Sequence, residues 1–343
     1  MYRANTGEEI MFEPTGIELL DYQSLLSSKD EGKVNVKFII DPMTFIFNNE
    51  HLSPNTVSMT GWKSPEKHSI YALTIGGWKP FLFLDDSLPI IVDRNIIDAM
   101  KKILKNSEHL KDRKWWFDTH NNTGLIFNPL LYAMENNQKK APSFQEFCAQ
   151  YDEACSIITR YSSSYRVITH SKEDYWNIYE HVVKKYHSFL EREIQFLCEV
   201  MPIIVKTIPS NKLPNIARDI KEKAIIFDVK ERLSCFAVLD LLYEDTSSGK
   251  SSHSRKLLKP KENYSEDDAY NALSDLINLE VLLQYSRLDK HVFFCTADFH
   301  LAAFWVALGV KKVTYTKNKF HTEIDGENLF ARANPSEKLK ILE

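Results

Sequence analysis

Apolar positions along this chain follow two periods, and the switches between them mark its elements. Leu88-Pro-Ile-Ile-Val-Asp-Arg-Asn95 is an unbroken, β-branched apolar run that stops on an acid. That is the pattern of a strand buried on both faces of a parallel sheet. Helical spacing starts at once: Ile96, Ile97, Met100, Ile103 and Leu104 predict a helix over 95–106. The same succession recurs near the other end. His291-Val-Phe-Phe-Cys-Thr-Ala-Asp298 is a second apolar run reaching an acid. Leu301, Ala302, Trp305 and Leu308 then predict a helix closed by Gly309, and Val310–Tyr315 reads as one more strand.

The intervening chain is read from the same cues. Residues 1–87 have β character, with Val34–Ile40 and Tyr71–Leu84 as strands and Leu52–Asn55 and Gly76-Gly77 as turns. Asp85-Asp86-Ser87 leads into the first apolar run, and Lys114–Asp118 reads as an aromatic, charged loop. Asn128-Pro129 opens a helix over Leu130–Glu135, and Ser143 with Glu146 predicts a capping box on the next one. Ser171 to about Asp245 is helical, with a break expected near Pro202. Thr246–Glu266 is a polar loop, and Asp267–Tyr285 is a helix. The predicted organisation is an N-terminal β-rich unit over 1–87 and an α/β domain over 88–343, with a helical insertion at about 165–265.

Composition narrows the function classes. The 343 residues are 43% hydrophobic and 26% charged, and no apolar run approaches the ~20 residues that span a bilayer. No membrane association is expected. The five cysteines (Cys148, Cys155, Cys198, Cys235, Cys295) lack any paired metal-ligand spacing, so they read as reduced core residues of a cytoplasmic protein. The net charge of −4 offers no global basic field to recruit nucleic acid. Among only ten glycines there is neither G-x-G-x-x-G nor G-x-x-x-x-G-K-[ST], which excludes dinucleotide and P-loop sites.

The candidate chemistry lies in the acids. Asp93 and Asp298 each end an apolar strand, where open α/β sheets place their ligands; the competing reading for both is an N-cap. Asp275, in Asn271-Ala-Leu-Ser-Asp-Leu276, lies beside an apolar helical stripe, as does Glu135 beside Leu130, Leu131 and Met134. Asp41 is a reserve candidate after Val36-Lys-Phe-Ile-Ile40, and Glu193 competes with Glu135. Carboxylates gathered this way repel one another unless a cation joins them. Mg²⁺ or Mn²⁺ suits such oxygen donors and activates water against a phosphodiester. An aspartyl-phosphate mechanism needs a second Asp where Asn95 stands, so it is excluded. The one dense basic cluster runs through Lys250, His253, Arg255, Lys256, Lys259 and Lys261. It reads as either a phosphate-contacting loop, through Lys250, Arg255 and Lys256, or a solvated linker.

The ordered set Asp93-Arg94-Asn95, Glu135, Asp275 and Thr296-Ala297-Asp298 resembles the PIN-domain nucleases. The resemblance covers residues 88 to about 316 and implies a Rossmann-like α/β/α sandwich with a parallel central sheet. It also implies a metal-dependent endonuclease, with RNA the expected substrate. Asp93, Glu135, Asp275 and Asp298 would hold Mg²⁺ or Mn²⁺, supported by Asn95 and Thr296. The N-terminal unit and the insertion depart from compact members of that family. They suit gating by a regulatory protein or by oligomer formation, as in a toxin or phage-defence effector. Two rival functions stand beside this one: a catalytically inactive RNA- or protein-binding module, and a metal-dependent hydrolase of small phosphoesters.

Overall fold

The computed structural model describes residues 2–3, 9–10, 14–30, 33–40, 46–47, 50–51, 57–63, 68–84, 88–106, 110–119, 124–135, 141–206, 208–245, 252–288, 292–316 and 319–342. Asp41, Lys250, His291 and the Asp85–Ser87 turn lie outside these described residues.

A six-stranded mixed, mostly parallel sheet organises the chain. Its strands are β1 (Tyr71–Thr74), β2 (Gly77–Pro80), β3 (Pro89–Val92), β4 (Ile126–Asn128), β5 (Arg166–Val167) and β6 (Phe293–Thr296). They lie in the order β5-β4-β3-β6-β1-β2. β5, β4, β3 and β6 run parallel, and β1 and β2 add an antiparallel hairpin beside β6. Both faces are covered, as the unbroken apolar runs predict. Ile90, Val92, Phe293 and Cys295 face one core, whereas Ile91 and Phe294 face the other.

The first core is closed by α2 (Arg94–Ile103), α3 (Lys111–Thr119) and the C-terminal half of α5 (Phe144–Tyr161). Residues 114–118, expected as a loop, are inside α3, because Trp116 and Phe117 are buried in this core. The other core gathers α4 (Leu130–Met134), α7 (Lys184–Ile204), α8 (Leu213–Ile226), α9 (Leu233–Leu242), α11 (Glu266–Leu288) and α12 (Phe299–Leu308). Pro202 does not break α7 where expected; the helix continues to Ile204, and Met201 and Ile204 stay buried. Within the polar segment 246–266, Ser252 caps a short helix, α10 (His253–Leu258), by accepting from Arg255 N. Its Leu257 and Leu258 pack into the same core.

Two expected boundaries shift. The 71–80 hairpin was assigned to a separate N-terminal unit, but β1 pairs with β6 from Thr296↔Tyr71 to Phe294↔Leu73. A division at residue 87 therefore cuts through one sheet. Likewise β5, at the start of the expected insertion, pairs with β4. The rest of the N-terminal segment includes a three-stranded antiparallel sheet (Pro14–Ile17, Lys33–Ile40, Val57–Lys63) and α1 (Tyr22–Asp30). It is tied to β2 by reciprocal backbone bonds between Leu20 and Trp78, at 2.9 and 3.2 Å. Among the described residues, no helix is long and apolar enough to cross a membrane.

Candidate acidic site at the strand ends

Strand order creates the site. From β3 the chain moves to β4 and β5 on one side, while β6 joins β3 on the other. The C-terminal ends of β3 and β6 thus lie at a topological switch point, where the flanking connections diverge and leave a crevice. The register Val92↔Cys295 sets Asp93 opposite Thr296, and Asp93 N donates to Cys295 O at 3.0 Å.

The two strand-end motifs interlock through side chains. Thr296 Oγ1 donates to Asp93 Oδ2 at 2.7 Å, and Asn95 Nδ2 donates to the same oxygen at 2.5 Å. Asn95 Oδ1 accepts from Ala297 N at 3.0 Å, and Thr296 Oγ1 accepts from Asp298 N at 3.0 Å. Asn95 and Thr296 thus hold the two strand ends to each other. Although Asp93 begins α2, its side chain makes no capping hydrogen bond. The cap reading fails there. Asp298 does cap α12: its Oδ1 accepts from His300 N at 2.7 Å and Leu301 N at 3.0 Å. Its second oxygen accepts nothing among the described residues.

Asp275 arrives from the middle of α11. Its carboxylate accepts no hydrogen bond among the described residues, yet it lies in the fields of Asp93, Asp298 and Glu135. Burial, then those three charges, raises its pKa well above the usual carboxylate range. Asp93 is only 4% exposed. Burial pushes it up to about 7, with Glu135 and Asp298 adding to the rise and Thr296 opposing it. Glu135 is raised by burial while the Arg94 guanidinium draws it back. Glu135 was expected inside a helix; it is instead the extended residue that ends the five-residue α4. Arg94 fixes that end, with Nη1 2.7 Å from Glu135 O and its guanidinium 4.8 Å from the centre of the Tyr132 ring.

The four acids are therefore gathered into one electrostatically coupled group at the switch point. Glu193 is not part of it. It accepts from Ser234 Oγ at 2.5 Å and from Arg232 Nη2 at 3.1 Å, beside a cavity of about 530 Å³ lined by Arg232 and Glu280. Among the described residues, no three His, Cys, Asp or Glu side chains close into a ready-made ion cage. The donor chemistry nevertheless fits a hard cation: among the described residues the Asp275 carboxylate and Asp298 Oδ2 accept no hydrogen bond, and Asp275 lies in the field of the other acids.

Neither a family model, nor a curated protein, nor a solved structure matches this chain.

The site rests on its own geometry, which includes residues the sequence pattern did not single out. Asn278, one turn beyond Asp275 and buried, reaches toward Asp93 Oδ1 at 3.4 Å. A buried amide three residues after an acid on an apolar helix was the available signal. Arg94 was overlooked because it reads as the variable position of Asp-x-Asn. Arg255, expected to contact phosphate, is instead occupied: its Nε lies 2.5 Å from Glu244 Oε2. Lys256 remains exposed and acts electrostatically on His300.

Proposed function

We propose that this protein is a divalent-metal-dependent nuclease of the PIN-like type, with a Rossmann-like α/β/α core, that hydrolyses RNA endonucleolytically. The observation that carries this reading is the interlock of Asp93-x-Asn95 with Thr296-x-Asp298 at the switch point, with Asp275 unbonded beside it. Two strand-end motifs that share hydrogen bonds form one device, and among the described residues no lysine or arginine forms an ion pair with Asp93, Asp275 or Asp298. The weak draw of Lys259 on Asp275 leaves that carboxyl strongly raised.

Asp93, Asp275, Asp298 and Glu135 would hold Mg²⁺ or Mn²⁺ through oxygen. When bound, such an ion supplies charge stabilisation at a phosphodiester and a more acidic water. The protein's own contributions are positional. Thr296 and Asn95 fix the orientation of Asp93, and the α12 N-terminus fixes Asp298 through Oδ1, turning Oδ2 away from the cap. Burial keeps the site short of bulk water, where charge interactions are stronger.

The test is cleavage of single-stranded RNA in Mn²⁺. Asp93→Asn and Asp298→Asn should each abolish it while the variants remain folded. Cleavage by both at the wild-type rate would overturn the assignment. The absence of a closed three-ligand cage among the described residues favours one second reading, an inactive PIN-like module that binds RNA or protein. Calorimetry with Mn²⁺ separates the two: no binding below the millimolar range favours the inactive module. Turnover of nucleotides without polymer cleavage would point to a small-phosphoester hydrolase.

A further inference from the structure

Three lysines from two elements, α1 and α10, flank the acidic site. Lys29 is in the last turn of α1; its Nζ lies 4.0 Å from the centre of the Phe299 ring, one residue after Asp298. It also acts electrostatically on His253 and His300. Lys256 is on the exposed side of α10 and bears on His300, whose backbone N–H bonds Asp298. Lys259 ends α10 and bears on Asp275.

These elements are tied together around the site. Tyr22 Oη in α1 lies 2.9 Å from His253 Nε2, and His253 Nδ1 lies 3.2 Å from His300 Nδ1. The lysines also differ from their neighbours in one respect. Arg255 and Lys261 in the same segment are paired, with Glu244 and Asp268 respectively. Among the described residues, the side chains of Lys29, Lys256 and Lys259 have no carboxylate partner or hydrogen bond. They are positive charges left unspent beside a cluster of acids.

Lys259 carries a second signature. It has φ +47 and ψ +57, the left-handed conformation that favours glycine. At the comparable end of α12 the chain uses Gly309, at φ +63. A lysine kept where glycine is easier holds backbone strain, which accumulates at functional positions.

We propose that Lys29, Lys256 and Lys259 form a cationic rim that holds consecutive phosphates of a single nucleic-acid strand across the acidic site. The N-terminal segment would thereby become part of the substrate-binding surface. This inference rests on the nuclease reading. The floor of acids repels an isolated anion, whereas a polyanion can bridge the rim lysines while presenting one linkage to the floor. Neither Lys29 nor Lys259 belongs to the acidic motif, and Lys29 comes from outside the strands that build the site.

The test is fluorescence anisotropy of a labelled single-stranded RNA on the full-length chain in EDTA, across a salt series. Cleavage in Mn²⁺ is followed in parallel. Each lysine engaged on phosphate contributes about 0.7 to the slope of log K against log salt for a single strand. Lys29→Ala, Lys256→Ala and Lys259→Gly should each reduce the slope by about that amount, and the triple variant by about 2. Lys212→Ala, at an exposed lysine of the Ser210–Lys212 turn, should leave it unchanged. Lys259→Gly should also melt no lower than wild type, because glycine relieves the left-handed strain, so lost binding cannot be ascribed to unfolding. If the triple variant binds with wild-type affinity and slope while wild type cleaves RNA, the rim is wrong and the nuclease reading stands. If Lys212→Ala weakens binding as much as the rim variants do, the rim is also wrong. If wild type neither binds nor cleaves RNA in Mn²⁺, both readings fall.

Discussion

Replacing Asp93 by Asn should stabilise the metal-free protein at alkaline pH while removing the proposed nuclease activity. Asp93 is 4% exposed, and its pKa is pushed from 3.8 to about 7, mainly by burial. The sign follows from proton counting. Between about pH 4 and pH 7 the folded protein holds a proton that the unfolded chain releases, so stability falls as pH rises through that window. A rise of this size corresponds to about 4 kcal/mol of destabilisation once the group is ionised in both states. Asparagine keeps an oxygen that can accept from Thr296 Oγ1 and Asn95 Nδ2, and its new amide faces Asn278, whose side chain can turn its own oxygen toward it.

The assay is urea unfolding in chelator, followed by fluorescence from tryptophans such as the fully buried Trp78, Trp116 and Trp305. Below about pH 4 the variant and wild type should be nearly equal, since the carboxyl is protonated in both states. At about pH 8 the variant should be more stable by roughly 2–4 kcal/mol, the lower end allowing for weaker amide hydrogen bonds. Mn²⁺ should narrow the gap by stabilising only wild type, because a ligand of the folded state raises its stability. A difference that does not change with pH, or a variant less stable than wild type at pH 8, would refute the burial argument.

Three further outcomes follow from other parts of the structure. Asp298→Asn should leave thermal stability within a few tenths of a kcal/mol, since Asn caps α12 as Asp does, whereas Asp298→Ala should cost about 1 kcal/mol; calorimetry of both checks this. Arg232→Met should lower stability by about 3–5 kcal/mol in urea, because it strands Glu193 and Glu280 as buried, uncompensated carboxylates. Gly77→Ala should cost about 1–3 kcal/mol: at φ +153 its added Cβ would meet Leu20 O at 2.5 Å, whereas Gly124→Ala meets only ordinary contacts at 3.6 Å and should melt as wild type does.

Legibility in the sequence followed the range over which each feature is encoded. Strands β3 and β6 were readable because burial on both faces forces an unbroken apolar run, and their following helices because α2 keeps one face apolar and α12 is apolar along nearly its whole buried length. The capping box at Ser143 and Glu146 and the Gly309 cap are local devices, and both stand as expected. The hairpin 71–80 was recognisable as strands, but not as the edge of the central sheet, because pairing Tyr71 with Thr296 joins positions more than two hundred residues apart. Ion pairs behave the same way. Nothing near Arg255 marks Glu244 as its partner, and nothing near Glu193 announces Arg232.

Asp298 shows why cap and ligand were never exclusive alternatives. A carboxylate has two oxygens, and the α12 N-terminus needs only one: Oδ1 takes both the His300 and Leu301 N–H groups. Those two bonds fix the side chain's rotation. Its counterpart Asp93 begins α2 without a side-chain capping bond and is oriented by different means, through Thr296 and Asn95. Before any cation arrives, burial and neighbouring carboxylates raise Asp93 to about 7 and raise Asp275 as well. A cation entering this group would meet its largest gain at the acids the fold leaves least satisfied. On this reasoning the raised carboxyls of Asp93 and Asp275 would give metal affinity a pH dependence, while the α12 cap sets the geometry of Asp298. Replacing Asp275 by Asn should then move the pH midpoint of Mn²⁺ binding, read by calorimetry across a pH series.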